Sequence, residues 1–225
     1  MGLIGYTGVD LVDELLGQDC DPAGFPVLVW GTVGAGRTTL ALQWARETLR
    51  SGGSVSFVTA HPVRLLTHQA ALIDLELSDV MPSGQFGFHE VVSQVDASGA
   101  SLRERLESAN DAPGLVVFDG FGTLCQSLSL GLSEAMHLLR YGGDQAQKLV
   151  TLDVADAADD SFRRLLDAGA CASWRLEPMS TGPGRLTIEY NRLGPGTCEE
   201  RAYRVDDTGL RLAEWAVGGA DAEHA

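Results

Sequence analysis

Short, mostly apolar runs alternate with stretches of helical spacing along the first three quarters of the chain. Residues 26–30 (PVLVW), 54–60 (SVSFVTA), 114–119 (GLVVFD) and 148–156 (KLVTLDVAD) are runs of this kind, and they predict strands buried on both faces. A shorter strand is predicted at residues 85–92 (QFGFHEVV). Residues 8–17 place Val9, Leu11, Val12, Leu15 and Leu16 on one helical face, acids on the other, and Gly17 as a C-cap. Further helices are predicted over residues 40–49, 63–75, 101–109, 132–143 and 159–168. Beyond Cys171 the pattern shifts. Residues 171–179, 185–193, 200–206 and 210–217 read as short strands joined by Gly- and Pro-rich turns, which suits antiparallel strands added to one side of the sheet. Residues 216–225 (AVGGADAEHA) read as a frayed tail. With no linker, repeat or low-complexity block, residues 1–225 read as one α/β domain.

The most informative stretch joins the first apolar run to its helix. GTVGAGRTT, residues 31–39, fits the phosphate-loop pattern G-x-x-x-x-G-K-[ST] at every place but one. Gly31, Gly36 and Thr38 are in position, and Arg37 stands where lysine is expected. In such a loop, Gly31, Thr32, Val33, Gly34, Ala35, Gly36, Arg37, Thr38 and Thr39 wrap a hollow of backbone N–H groups around phosphate oxygens. The following helix adds its orphan N–H groups and the positive end of its dipole. Thr38 is the hydroxyl such loops give to Mg²⁺. The alternative is a strand–turn–helix corner with no ligand.

Arg37 keeps a positive charge beside the phosphates, so binding is retained. A guanidinium is a wider planar fork than an ammonium, however. Catalysis depends on charge placed for the transition state, so the replacement predicts nucleotide binding with slow or absent hydrolysis.

The run 114–119 ends in Asp119 and is followed by glycine. This is the form of a Walker B acid, a carboxylate at the carboxyl edge of a parallel sheet that holds Mg²⁺ directly or through water. The alternative reading is an acid that caps the next turn.

Composition narrows the field. The chain has 225 residues, 44% of them hydrophobic, and a net charge of −15, with Lys148 its single lysine. That field repels free nucleic acid, and no basic run offsets it. Cys20, Cys125, Cys171 and Cys198 have no metal-ligand spacing, and the simplest compartment is a reducing cytoplasm. The N-terminal residues lack a basic n-region and a long apolar core, so no signal peptide is expected. No stretch approaches the roughly 18 apolar residues of a membrane span.

The opening helix DLVDELLG, the stretch PVLVWGTVGAGRTTLALQWA, then SVSFVTA, LVVFDG and a terminal meander of strands together resemble single-domain KaiC-like members of the RecA-like P-loop ATPases, of the archaeal-regulator and archaellum-subunit type. The resemblance spans roughly residues 8–215. It implies a RecA-like three-layer sandwich with ATP and Mg²⁺ at the carboxyl edge of a mostly parallel sheet. It also implies protein partners and homo-oligomeric assembly with ATP at the subunit interface.

Two departures from the family pattern matter. The family carries an acidic pair after its second strand, where one glutamate activates the attacking water. Here that place reads Thr59-Ala60-His61-Pro62. His61 is the one side chain there that could act as a base; the favoured reading is an ordinary loop histidine near the nucleotide. The family's Lys-x-Arg would fall in Glu189-Tyr190-Asn191-Arg192, and only Arg192 remains. It either acts in trans or is a surface arginine. The resulting expectation is an ATP-binding regulatory or scaffold protein with little hydrolysis. The alternatives are an active RecA-like ATPase and a nucleotide-free interaction module.

Overall fold

A computed structural model describes residues 7, 9–17, 22–91, 114–141, 143–155, 160–193 and 199–214. Its elements, in chain order, are α1 (Asp10–Leu16), β1 (Pro26–Gly31), α2 (Arg37–Arg50), β2 (Val55–Thr59), α3 (Val63–Ala71), α4 (Leu77–Val80), β3 (Phe86–Glu90) and β4 (Leu115–Asp119). They continue with α5 (Phe121–Ser127), α6 (Leu132–Leu138), β5 (Gln147–Asp153), α7 (Asp160–Gly169), β6 (Ala172–Glu177), β7 (Gly184–Asn191), β8 (Glu199–Asp206) and β9 (Gly209–Ala213).

The strands form one sheet in the order β3-β2-β4-β5-β1-β6-β7-β8-β9. From β3 to β6 every neighbouring pair is parallel. From β6 to β9 every pair is antiparallel. The switch follows from the connections. Parallel neighbours need a long crossover, which the helices supply, whereas β7, β8 and β9 follow one another through turns.

The continuous apolar runs are explained by burial on both faces. Val27 and Val29 point into the layer shared with α1, α2 and α3, together with Phe57, Val117 and Trp174. Leu28 and Trp30 point the other way, into the layer of α5, α6 and α7 with Val58, Phe118 and Leu152. Alternate residues of one strand therefore feed two cores, which favours apolar residues at nearly every position of β1. Fully burying a side chain such as Leu28 or Phe57 contributes about 1.5–3 kcal/mol.

α2 begins directly on the glycine loop and packs Leu40, Ala41, Leu42, Trp44 and Ala45 against the sheet. It ends where Gly52 takes φ +81°. The Gly52 N–H bonds the Leu49 carbonyl at 3.0 Å and the Gly53 N–H bonds the Thr48 carbonyl at 2.9 Å, the paired pattern of a Schellman stop. α1 is fastened from the far side of the chain. Asn191 of β7 donates Nδ2 to the carbonyls of Leu15 and Leu16 at 3.1 and 2.9 Å.

Several helices differ from the sequence expectation. The helix predicted over 63–75 stops at Ala71, because Asp74 turns the backbone to φ +56°. Ile73 and Leu75 stay buried past that point, so the apolar spacing outlives the helix. The helix predicted over 132–143 ends at Leu138, before its paired glycines. α5 was not expected; it starts on Gly120, which adopts the left-handed conformation. The helix predicted over 101–109 and the tail over 216–225 lie outside the described residues.

Candidate functional site

The carboxyl edge of the parallel strands gathers the residues that matter. Across that edge, in sheet order, stand Glu90 (β3), Thr59 (β2), Asp119 (β4), Asp153 (β5) and Gly31 (β1). Register places Thr59 beside Asp119 and Gly31 beside Asp153. β5 lies between the Asp119 strand and the loop strand, so Asp153 faces the gap between the acid and the glycine loop.

The loop itself is open and glycine-dependent. Gly34 and Gly36 have φ +82° and +90°, values that side-chain-bearing residues rarely adopt. A Cβ on Gly31 would lie 2.8 Å from the Leu176 carbonyl oxygen, so the strand can leave the sheet there only as glycine. Val33 at the tip is 86% exposed. Inside the turn, the Ala35 N–H donates to the Thr32 carbonyl at 3.2 Å. The first bond of α2 runs from the Leu40 N–H to the Gly36 carbonyl at 2.9 Å. The N–H groups of Arg37, Thr38 and Thr39 precede it and have no partner within the helix. They form a donor-rich helix start suited to an anion.

Asp119 is 1% exposed and held from three strands or helices. It accepts hydrogen bonds from Thr38 Oγ1 at 3.1 Å, Thr151 Oγ1 at 2.8 Å and Thr59 Oγ1 at 3.4 Å. Thr151 Oγ1 also accepts the Gly120 N–H at 2.8 Å. These bonds keep a buried carboxylate satisfied and fix its direction. Hydroxyl and carboxylate side by side are hard oxygen donors, the type Mg²⁺ prefers, and Mg²⁺ usually takes only one or two carboxylates besides phosphates and waters. Among the described residues, no group of three His, Cys, Asp or Glu could hold a metal ion unaided. Thr38 and Asp119 are the side chains here that could contact such a cation.

Arg37 does not lie alone in the loop. Its Nη2 donates to Asp153 Oδ2 at 2.9 Å. The other oxygen of Asp153 accepts the Ala155 N–H at 2.9 Å. Sequence reasoning placed Arg37 on the phosphates and did not single out Asp153 or Thr151. The available signal was the end of KLVTLDVAD, where an apolar strand runs into polar residues as it does at Asp119. Tyr203 was also missed. It reaches from β8 to donate its hydroxyl to the Ala35 carbonyl at 3.0 Å. Burial, with the Glu177 carboxylate adding to it, pushes the Tyr203 phenol up to about 12.

The remaining predicted residues separate. His61 is at the site, with Nε2 3.8 Å from Asp119 Oδ2 and its side chain 47% exposed. Glu90, one strand farther along, accepts the Val63 N–H at 3.1 Å and so meets the start of α3. Arg192 is not at this site. It donates Nη1 to the carbonyls of Ala168 and Ala170, at the end of α7 and beside the amino end of β6, while the loop is at the carboxyl end.

No family model matches the sequence, and neither does any curated protein. Solved structures do match. The flagellar accessory protein FlaH of Methanocaldococcus jannaschii aligns over 94% of this chain and 98% of its own, with a TM-score of 0.73 and 16% identity. A KaiC-like protein of the hyperthermophilic archaeon Pyrococcus horikoshii aligns over 94% of this chain and 99% of its own, with a TM-score of 0.74 and 18% identity. At such identities the likeness is one of fold. Near-complete coverage on both sides, the mostly parallel sheet and the antiparallel C-terminal strands agree: the chain has the KaiC-like, RecA-type fold.

Proposed function

We propose that the chain is a cytoplasmic KaiC-like regulatory or scaffold protein that binds ATP with Mg²⁺ and hydrolyses it slowly or not at all. One observation carries this reading. A glycine-shaped loop opens a helix whose second residue, Thr38, lies 3.1 Å from the Walker B-type carboxylate of Asp119, with no carboxylate at Ala60 or His61 to activate water. Residues 31–39 would hold the phosphates, and Thr38 with Asp119 would hold the metal. Bound Mg²⁺ would supply charge neutralisation for the phosphate chain. Without a positioned base, the nucleotide acts as a ligand that favours one conformation, and such a ligand shifts a population without being consumed.

Titration calorimetry of the purified chain with ATP and Mg²⁺ tests this. Binding is expected, and Gly36→Asp or Thr38→Ala should weaken it. No heat of binding in the wild-type chain would remove the proposal.

A second reading, an active ATPase, draws on the nearness of His61 to Asp119. It requires multiple-turnover phosphate release that vanishes in both Asp119→Asn and His61→Ala. Assembly with further copies or with other proteins is compatible with either reading.

A further inference from the structure

The geometry points to Asp153 as a positioning residue that competes with phosphate for Arg37 and thereby sets the affinity of the loop. This inference rests on the nucleotide-binding reading and specifies how the same site is regulated.

Arg37 is the only lysine or arginine within residues 31–39, and it begins α2. Its side chain is only 15% exposed, and the guanidinium is directed to a carboxylate. Asp153 is built to keep it there. Its backbone is in register with Gly31 at the end of β5. The next residue, Val154, donates its N–H to the Gly31 carbonyl at 3.3 Å, which ties the strand end to the loop. Oδ1 is fixed by the Ala155 N–H, leaving Oδ2 aimed at Arg37. A planar carboxylate accepting from a guanidinium offers the same kind of oxygen that a phosphate would. Asp153 therefore occupies, with the protein's own charge, the cation that the loop would present to a nucleotide.

Two consequences follow from charge. Phosphate can take Arg37 only by displacing Asp153, so part of the intrinsic affinity is spent on breaking an existing pair. The displaced carboxylate then remains beside the phosphate chain. It lies in the gap between Asp119 and the loop, and like charges at close range oppose each other. The longer and more charged the phosphate tail, the larger this opposition, so the site penalises a triphosphate more than a diphosphate. A partner or a second copy that supplied a cation to Asp153 would release Arg37 and tighten nucleotide binding.

The test is calorimetry on the full chain with Mg²⁺-ATP and with Mg²⁺-ADP. The variants are Asp153→Asn, Asp153→Ala, Arg37→Ala and the double substitution Arg37→Ala/Asp153→Asn, with circular dichroism and thermal unfolding to verify folding. Asp153→Asn keeps an oxygen for the Ala155 N–H, and Asp153→Ala repeats the test without it. Asp153→Asn is expected to tighten ATP binding about tenfold, or about 1.4 kcal/mol, and ADP binding by less. Most of the gain should disappear when Arg37 is alanine, leaving only the smaller part that comes from removing a like charge beside the phosphates. A merely structural aspartate would not raise affinity on removal. If the wild-type chain binds ATP and neither Asp153 variant binds it more tightly, the competition is disproved and the nucleotide site stands. A gain of undiminished size without Arg37 also disproves it. If no variant and no wild-type chain binds either nucleotide, the nucleotide reading falls and this inference falls with it.

Discussion

Tyr203 donates its hydroxyl to the carbonyl of Ala35, 3.0 Å away and 168 residues earlier in the chain. The bond links the antiparallel extension of the sheet to the phosphate loop. Leu210 and Val205 support the same place, since a Cβ on Gly36 would meet their methyl groups at 3.1 and 2.9 Å. The C-terminal hairpin is thus a buttress for the loop. Tyr203→Phe deletes the donor and leaves a buried carbonyl without it, a change that costs about 1–3 kcal/mol. In a chain of this size that lowers the thermal midpoint by about 2–4 °C for each kcal/mol. Nucleotide affinity should fall as well, because the loop loses an anchor.

The same residue gives a pH dependence. Burial raises the Tyr203 phenol to about 12, above its usual value of about 10. The folded state therefore holds the proton more tightly than the unfolded state does. Its stabilising contribution is whole below about pH 10 and is lost as pH rises from there to about 12. The difference in thermal midpoint between wild type and Tyr203→Phe should be constant from pH 7 to 9 and shrink above pH 10. A difference that grew with alkali would contradict this assignment.

Asp119 should separate metal from nucleotide. Its carboxylate is already oriented by Thr38, Thr59 and Thr151, so Asp119→Asn keeps most of the hydrogen-bonding shape but removes the charge. Mg²⁺-dependent ATP binding is expected to weaken by about tenfold or more, given the reliance of Mg²⁺ on one or two carboxylates. Binding measured in excess chelator should change far less. Equal losses with and without Mg²⁺ would assign Asp119 a purely structural place.

Much of this was legible in the chain beforehand, for identifiable reasons. Strands buried on both faces are mostly apolar, so β1, β2, β4 and β5 stand out as runs despite a few buried polar positions such as Ser56 and Thr151. The loop is legible because Gly34 and Gly36 sit at backbone angles that require glycine. The end of α3 was not legible. Ile73 and Leu75 remain in the core after the helix has stopped, and periodicity reports burial rather than backbone turns. The partnership of Arg37 with Asp153 joins residues 116 positions apart and depends on β5 lying beside β1. No local pattern encodes that adjacency.

Arg37→Lys restores the ordinary phosphate-loop residue, yet little hydrolysis is expected from it. The site still lacks a carboxylate at Ala60-His61, and Asp153 would hold an ammonium as it holds the guanidinium. Phosphate release by this variant should stay within about tenfold of the wild-type rate, since a missing general base alone removes roughly 100- to 10,000-fold. Rapid multiple turnover by Arg37→Lys would show that the base is supplied by another residue, with His61 the first to examine.

Lys148, the single lysine, lies near the start of β5 at 2% exposure. Its Nζ donates to the Gly24 carbonyl at 3.3 Å. Burial lowers its pKa below the usual 10.5, with the Asp144 carboxylate partly opposing the shift. A lowered value for a base means that the unfolded chain binds the proton more tightly. The buried ammonium therefore weakens the fold at neutral pH, and stability from this group rises as pH climbs from the folded value toward 10.5. Lys148→Met keeps the length of the stem and removes the charge. Its thermal midpoint should match or exceed that of wild type at pH 7, with the advantage narrowing toward pH 10, because replacing a buried charge by an apolar group of similar volume is often neutral or stabilising. An advantage that widened with rising pH, or a clear loss of stability at pH 7, would show that the bond to Gly24 outweighs the cost of burying the ammonium.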